Sequence, residues 1–487
     1  MTRFQRTAAA EPLGSARLVA RFLLLCVGVW LHSADTLVTA TIAPSIVLEI
    51  GGVERINWMI TLYEVGAIIA GAATGMLCGR LGVKRLLIGA TLLYGAGCLM
   101  AALAAGIAMV VGGRFIQGLG GGMLLSLCYL AIHAWFAPAS WNRLFSVVAL
   151  IWGAGSLLGP LIGGVFANHY TWRSAFWFFA VQAGLLVWMA ALWLPADAPQ
   201  KNAAGGWPFM PLIVLSAATL IIAEAGVLTQ AGVSIIGCLS GAGLLYVAAR
   251  LDRRSRVKLL PSQLLDLSHP VGAGLMMVFA LSTATTGFWA YGPLILKTVF
   301  GINPLISGYI LAAEALAWSL ATMAVSNAAP SAEILLIRGG ASIVAVGAAG
   351  FAIAVPSGSL AGMVVCACLQ GFGFGLCWPS IVHRTVRFCD AEEQSLGSAS
   401  PSTIQRIGYA LGTAAAGVLA NLSGLGEGMS VAAAKAAGFW VFAGFIPILL
   451  AALFCAWRFT REFTRPSAES ASGAAAGEEF VHPPRSK

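Results

Sequence analysis

Residues 117–122, Gln117-Gly118-Leu119-Gly120-Gly121-Gly122, return as Gln370-Gly371-Phe372-Gly373-Phe374-Gly375, a distance of 253 positions. Both copies lie inside long apolar runs. A second match keeps the same distance: Gly155, Leu158, Gly159, Gly164, Val165 and Ala167 correspond to Gly408, Leu411, Gly412, Gly417, Val418 and Ala420. Two stretches repeated at one spacing mark an internal duplication. Parallel repeats are a recurrent design of secondary transporters, with the substrate site between the repeats near the bilayer midplane.

Composition fixes the medium in which this duplication sits. Of 487 residues, 59% are hydrophobic and 10% charged, against about 25% charged in soluble proteins, which excludes a water-soluble globule. One bilayer crossing takes about 20 mostly apolar residues. Apolar runs bounded by charge, proline or polar clusters predict fourteen spans between residues 21 and 457. The two copies of the repeat then fall in spans 4 and 5 and in spans 12 and 13. An interval of eight spans predicts an all-α membrane protein of two six-helix bundles plus two inserted helices. The expected organisation is a cytoplasmic segment 1–20, a bundle 21–195, an insert 196–269 with a basic cytoplasmic loop, a bundle 270–458 and a tail 459–487. That tail is rich in Ser, Ala, Gly and Pro and is predicted to stay unfolded.

The net charge of +9 does not point to nucleic acid, because the basic residues sit in short segments between apolar runs. Arg80, Lys84, Arg85, Arg143, Lys201, the group Arg250 to Lys258, Arg384, Arg387, Arg458, Arg461 and Arg465 fall on one side of the predicted topology. The positive-inside rule makes that side the cytoplasm and places both termini there. The expected location is the inner (cytoplasmic) membrane, with the lipid bilayer itself as a partner. The ten cysteines fall mostly inside apolar runs without a Cys-x-x-Cys pair and read as small core residues, with neither a disulfide framework nor a metal site. No Gly-Lys dipeptide occurs, hence no phosphate-binding loop lysine. The expectation is a protein that is not an enzyme, needs no cofactor and draws on an ion gradient.

Charged side chains inside spans cost about 2.5–3.5 kcal/mol each on insertion scales and are functional candidates for that reason. At a rise of about 1.5 Å per residue, Asp35 lies roughly 13 Å, Glu64 roughly 11 Å and Arg114 roughly 9 Å from the outer end of its span. Three groups at one depth can form a cluster in which Arg114 holds one carboxylate ionised while the second, short of a counter-charge, takes and releases a proton. Asp35, Glu64 and Arg114 are therefore the candidate proton-coupling residues; a static ion pair is the structural alternative. Neighbouring His32 either shares the proton or packs as a hydrogen-bonded residue. In the second half Glu314 and Arg406 fall near midplane and either line the cavity or pair with each other. With Gln117 and Gln370 they make up the candidate substrate cavity. Glu224, four residues from the end of span 7, is read as snorkelling to the interface.

Gly155, Gly159 and Gly163 recur every four residues and give one helix a smooth face for close approach, while Pro160 breaks its hydrogen bonding locally. The segment Gly153-Ala154-Gly155-Ser156-Leu157-Leu158-Gly159-Pro160-Leu161-Ile162-Gly163-Gly164 resembles the fifth-helix antiporter motif of the major facilitator superfamily at every glycine and the proline. Arg114-Phe115-Ile116-Gln117-Gly118-Leu119-Gly120 resembles that family's fourth-helix motif, whose arginine is associated with proton transfer. Asp35, nine positions before Pro44, is similar to the acid and proline of the first-helix signature. Gly75-Met76-Leu77-Cys78-Gly79-Arg80-Leu81-Gly82-Val83-Lys84-Arg85 resembles the motif between helices 2 and 3, except that Gly79 stands where the family usually has aspartate. The resemblance implies a cytoplasmic gate built on Arg80, Lys84 and Arg85 without that acid.

The resemblance extends from about residue 20 to 460, and with fourteen spans it is to the EmrB/QacA-type drug:proton antiporters. It implies a proton-coupled exporter of small amphipathic or drug-like compounds working by alternating access, with protons and a small molecule as its partners. A specific metabolite or siderophore exporter, an uptake symporter and a transport-inactive membrane sensor are the alternatives. A periplasmic adaptor spanning a second membrane stays open.

Overall fold

An apolar run in lipid has no water to serve its N–H and C=O groups, and a helix satisfies them within one segment. The computed structural model describes residues 16–136, 138–194, 209–225, 228, 230–255, 258–325, 328–390, 393–425 and 430–461. Its elements are α1 (Ala16–Ile50), α2 (Trp58–Leu81), α3 (Val83–Ala102), α4 (Ile107–Trp135), α5 (Pro138–His169), α6 (Trp172–Trp193), α7 (Phe209–Ala225) and α8 (Ala231–Arg254). They continue with α9 (Pro270–Phe300), α10 (Pro304–Ala324), α11 (Glu333–Ala354), α12 (Leu360–Phe388), α13 (Gln394–Leu422), α14 (Val431–Ala443) and α15 (Ile446–Phe459). Arg143, Lys201, Arg256, Arg465, residues 1–15 and the tail from 462 onward fall wholly or in their side chains outside the described residues.

Among the described residues, twelve helices are long and apolar enough to cross a membrane, with α14 and α15 counted as one. The fourteen predicted spans exceed this by α7 and α13. Helix α7 has only 17 residues. Helix α13 has 29 residues, but Gln394, Ser398, Ser400, Ser402, Thr403, Gln405 and Arg406 load its first half with polar side chains. The first span is longer than predicted: α1 has 35 residues and runs through Pro44. The last is interrupted at Gly444 and Phe445, which separate α14 from α15.

Helices α1 to α6 pack on one another, as do α9 to α15, while α7 pairs with α8 and leans on α2 and α13. The duplication read from the glycines is present in space. A Cβ on Gly118 would run into the backbone of Tyr63, and one on Gly371 into the backbone of Glu314, so α4 meets α2 as α12 meets α10. Gly155 sits against Ser33 and Gly408 against Ser282, so α5 meets α1 as α13 meets α9. In this register Tyr63 corresponds to Glu314, Asp35 to Ala284, and Arg114 to Ala367.

The halves touch at one face of the bundle, here called the seam face, where α1, α5, α9 and α13 end and α2 and α10 begin. There Asn421 Nδ2 donates to the Glu54 carbonyl at 2.9 Å, and Thr61 Oγ1 to the Ala410 carbonyl at 3.4 Å. Gly164 lies against Leu305, and Gly308 against Pro160. At the other face, which carries the start of α1 and the end of α15, the polar ties among the described residues stay on one side. Arg384 bonds the Phe459 carbonyl at 2.9 Å and pairs with Glu333 at 3.4 Å. Lys258 pairs with Glu393 at 2.8 Å.

Candidate functional site

Asp35 on α1 and Arg114 on α4 are both buried, at 0% and 1% exposure, and form a short ion pair. The guanidinium makes two further bonds there: Nη1 also donates to Gln117 Oε1 at 3.0 Å, and Nε to the Met59 carbonyl at 3.2 Å. Gln117 Nε2 reaches Asp35 Oδ1 at 3.5 Å and Cys98 Sγ at 3.0 Å, and Thr39 Oγ1 donates to the same carboxylate at 3.5 Å. Burying two charges is affordable only with this degree of pairing, and removing one partner from such a pair costs about 3–5 kcal/mol.

Above the guanidinium lies the ring of Tyr63, 4.1 Å from Arg114 Cζ to the ring centroid, a cation–π geometry. The Tyr63 hydroxyl meets His32 Nδ1 at 2.7 Å. His32 Nε2 meets Arg406 Nη2 of α13 at 3.0 Å, and Arg406 Nη1 pairs with Glu64 Oε2 at 3.1 Å. A continuous polar chain thus runs from Cys98 through Gln117, Asp35, Arg114, Tyr63, His32 and Arg406 to Glu64, and its Arg406 links cross from one half to the other. Glu64–Arg406 is the one ion pair between the halves among the described residues.

This arrangement differs from the predicted cluster. Asp35, Glu64 and Arg114 share a depth, but Arg114 serves Asp35 alone, and Glu64 takes its counter-charge from Arg406. Rise per residue fixes depth and leaves azimuth open: Glu64 lies on the side of α2 that meets α13, while Arg114 points toward α1. The alternative of an Arg406–Glu314 pair does not hold for the same reason. Glu314, at 4% exposure, accepts instead from Gln370 Nε2 at 2.7 Å. Gln117 and Gln370 are completely buried; of the four predicted cavity residues Arg406 alone keeps a partly exposed side chain, because each amide turns to a carboxyl inside its own half.

The predicted antiporter motif lies along the contact of α5 with α1 and α10. Gly155, Gly159 and Gly163 face Ser33, Leu37 and Thr41 of α1, whereas Gly164 and Pro160 face Leu305 and Gly308 of α10. In the motif between α2 and α3, Gly82 takes a φ of 80° and ends α2, and Gly75 and Gly79 precede it on that helix. Lys84 caps α6, donating at 2.7 Å to the carbonyls of Ala191 and Leu194, so it ties α3 to α6 within one half. Arg80 and Arg85 are exposed and make no ion pair among the described residues. Glu224 is exposed at the end of α7. His32 and Tyr63, the connectors of the network, were not singled out together by any sequence signal, since bridging depends on the α1–α2 packing angle.

The family model of the Major Facilitator Superfamily matches residues 25–412. This chain belongs to the Major Facilitator Superfamily. Over 450 residues it is 29% identical to a probable multidrug-efflux transporter of Mycobacterium tuberculosis, covering 88% of this chain and 94% of the relative. A multidrug resistance protein B homolog of the same organism is 26% identical over 402 residues, covering 79% and 73%. Among solved structures, the peptide transporter POT in complex with sulfate superposes with a TM-score of 0.65 at 17% identity, over 95% of this chain and 99% of that one. A D-xylose–proton symporter gives 0.64 at 16% identity, over 92% and 99%. These structures share the Major Facilitator fold with it. This member of the superfamily is a multi-pass membrane transporter of small molecules and not an enzyme.

Proposed function

We propose that the protein exports small amphipathic or drug-like compounds across the cytoplasmic membrane in exchange for protons, by alternating access, as a fourteen-span antiporter of the EmrB/QacA type. In this reading α7 and α13 also cross the bilayer, shielded by the helices against which they pack, and the seam face is the outer one, as the distribution of basic residues requires. The halves then meet outside, leaving the binding space accessible from the cytoplasm.

One observation carries the reading: a buried carboxylate, Asp35, is wired through Arg114, Tyr63 and His32 to the Arg406–Glu64 pair between the halves. Neutralising Asp35 with a proton frees Arg114 from its counter-charge and disturbs every later link. Proton binding and the position of the halves thereby influence one another, as linkage demands of a coupled transporter. The energy comes from the proton gradient, with no cofactor. The 29% identical probable multidrug-efflux transporter supports drug-like cargo.

The test uses everted membrane vesicles with an acidified lumen. Addition of a transported compound is expected to dissipate the pH difference, and Asp35→Asn to abolish that response while the protein remains folded. Full proton coupling in Asp35→Asn overturns the assignment. Entry of compound together with protons establishes symport instead.

A further inference from the structure

The contact between His32 and Arg406 fixes where a proton can sit. A guanidinium has five donors and no acceptor, so with Arg406 Nη2 3.0 Å from His32 Nε2 the imidazole nitrogen must accept. The single ring proton of a neutral imidazole then lies on Nδ1 and is donated to the Tyr63 hydroxyl at 2.7 Å. His32 is 1% exposed, stacked on Tyr63 and edge-on to Trp152. It has no room to turn its ring away from Arg406 while the halves are together.

We propose that His32 Nε2 is a proton-binding site that exists only when the two halves are parted, because the proton and the Arg406 guanidinium compete for the same lone pair. The inference rests on the proton-coupled cycle above and adds a site to it. Parting the seam withdraws Arg406 with α13, and Nε2 takes a proton from water. Closing the seam requires that proton to leave to water before Nε2 accepts again from Arg406. Each closure therefore expels one proton per bridge formed, and an imidazolium holds the seam open by repelling the guanidinium.

The other groups facing this site include two phenols near Arg406, Tyr129 of α4 and Tyr409 of α13, which carry no charge in the acid range. Arg114 of α4 lies behind Tyr63, Glu64 of α2 holds the far side of Arg406, and Asp35 is one turn along α1. Helix α5 contributes Trp152, and no titratable partner of the ring comes from α6, α9 or α10 among the described residues. Glu64 and Asp35 are thus the competing explanations of any pH response.

The experiment measures the distance across the seam by electron–electron resonance between spin labels at Leu48 and Leu422, both exposed, with Cys238 and Cys368 replaced by serine. In the wild-type background the closed population is expected to fall as pH is lowered. His32→Gln keeps an acceptor for Arg406 and a donor for Tyr63 but cannot be protonated, so the closed population should lose its pH dependence. Arg406→Met, which keeps a long side chain without an N–H donor and so removes the competitor, should lose it too. An unchanged pH response in His32→Gln, or its loss in Glu64→Gln alone, overturns the proposal.

Nitrogen-15 spectra of histidine-labelled protein give a readout that does not depend on these variants folding alike. One of the six histidines should show the neutral Nδ1–H form at neutral pH and disappear in His32→Gln. The Nε2–H form at that position overturns the proposal. If vesicles show no proton exchange while the seam still opens with acid, the coupled-export reading fails and this site stands.

Discussion

The two halves place a glutamine at the same register and surround it with opposite electrostatics. In the first, Gln117 sits in a charged pair, Asp35 with Arg114, roofed by Tyr63. In the second, Gln370 faces Glu314, while alanines, Ala284 and Ala367, stand where the pair would be. Glu314 itself occupies the register of Tyr63, and it has no ion pair among the described residues. Its Oε2 and the Gln370 Oε1 also lack a hydrogen-bond partner there. One backbone design thus carries a balanced charge cluster on one side and a sparse amide–carboxyl pair on the other. The glycines set the helix spacing in both halves, and the chemistry is chosen independently.

The largest expected effect comes from making the first half resemble the second. Asp35→Ala or Arg114→Ala alone strands a buried charge and should cost about 3–5 kcal/mol. The double substitution copies Ala284 and Ala367 and should recover much of that loss, read as the thermal midpoint in detergent. A double variant as unstable as the worse single one would show that the two registers are not equivalent.

Breaking the link between halves comes next. A double-mutant cycle of Glu64→Gln and Arg406→Gln should return a coupling of about 1.5–3 kcal/mol, the range for hydrogen bonds to charged groups. The equivalent cycle on Glu314 and Arg406 should return none, because those residues do not meet. A sizeable value in the second cycle would mean that Arg406 changes partner.

Overpacking compares the halves directly. Gly118→Ala and Gly371→Ala each drive a methyl group into facing backbone and should each cost about 1–3 kcal/mol. Midpoints shifted in one half only would contradict a shared spacing.

The smallest effect lies at the terminal face. Burial raises the Glu393 carboxyl, but hydrogen bonds from Lys258 and Ser262 outweigh it and hold the group below the usual glutamate range. A lowered folded-state value stabilises above the unfolded value of about 4.3 and ceases to do so as pH falls through the folded value. Glu393→Gln should therefore cost about 1 kcal/mol near neutrality, with the difference from wild type vanishing only once the pH has fallen through the lowered folded-state value.

What the sequence made legible follows the same division. Helix positions and the duplication were readable because apolar length and glycine spacing act locally, and the contacts of Gly118 and Gly371 repeat as the motif does. That Asp35, Glu64 and Arg114 share a depth was readable, but which carboxylate Arg114 would hold was not, and the α1–α4 packing gives it Asp35. The partner of Glu64 was not readable, since it is contributed by a residue far along the chain whose approach depends on how the halves tilt. Helix α13 was placed by its glycines although its polar first half lowers its apolar signal, while the bridging of His32 and Tyr63 required the helix azimuths.

Helix α7 touches α2 of one half and α13 of the other, and Trp58 Nε1 of α2 donates to its Ala223 carbonyl at 3.0 Å. One of the two grooves between the halves is thereby splinted, while the other is a bare junction of α5 with α10, sealed by Gly164 and Gly308. Along the length that α7 covers, an oily solute dissolved in the bilayer meets a doorpost. Over that length, sideways entry from lipid should be easier at the other flank, where Gly164 and Gly308 let α5 and α10 meet closely.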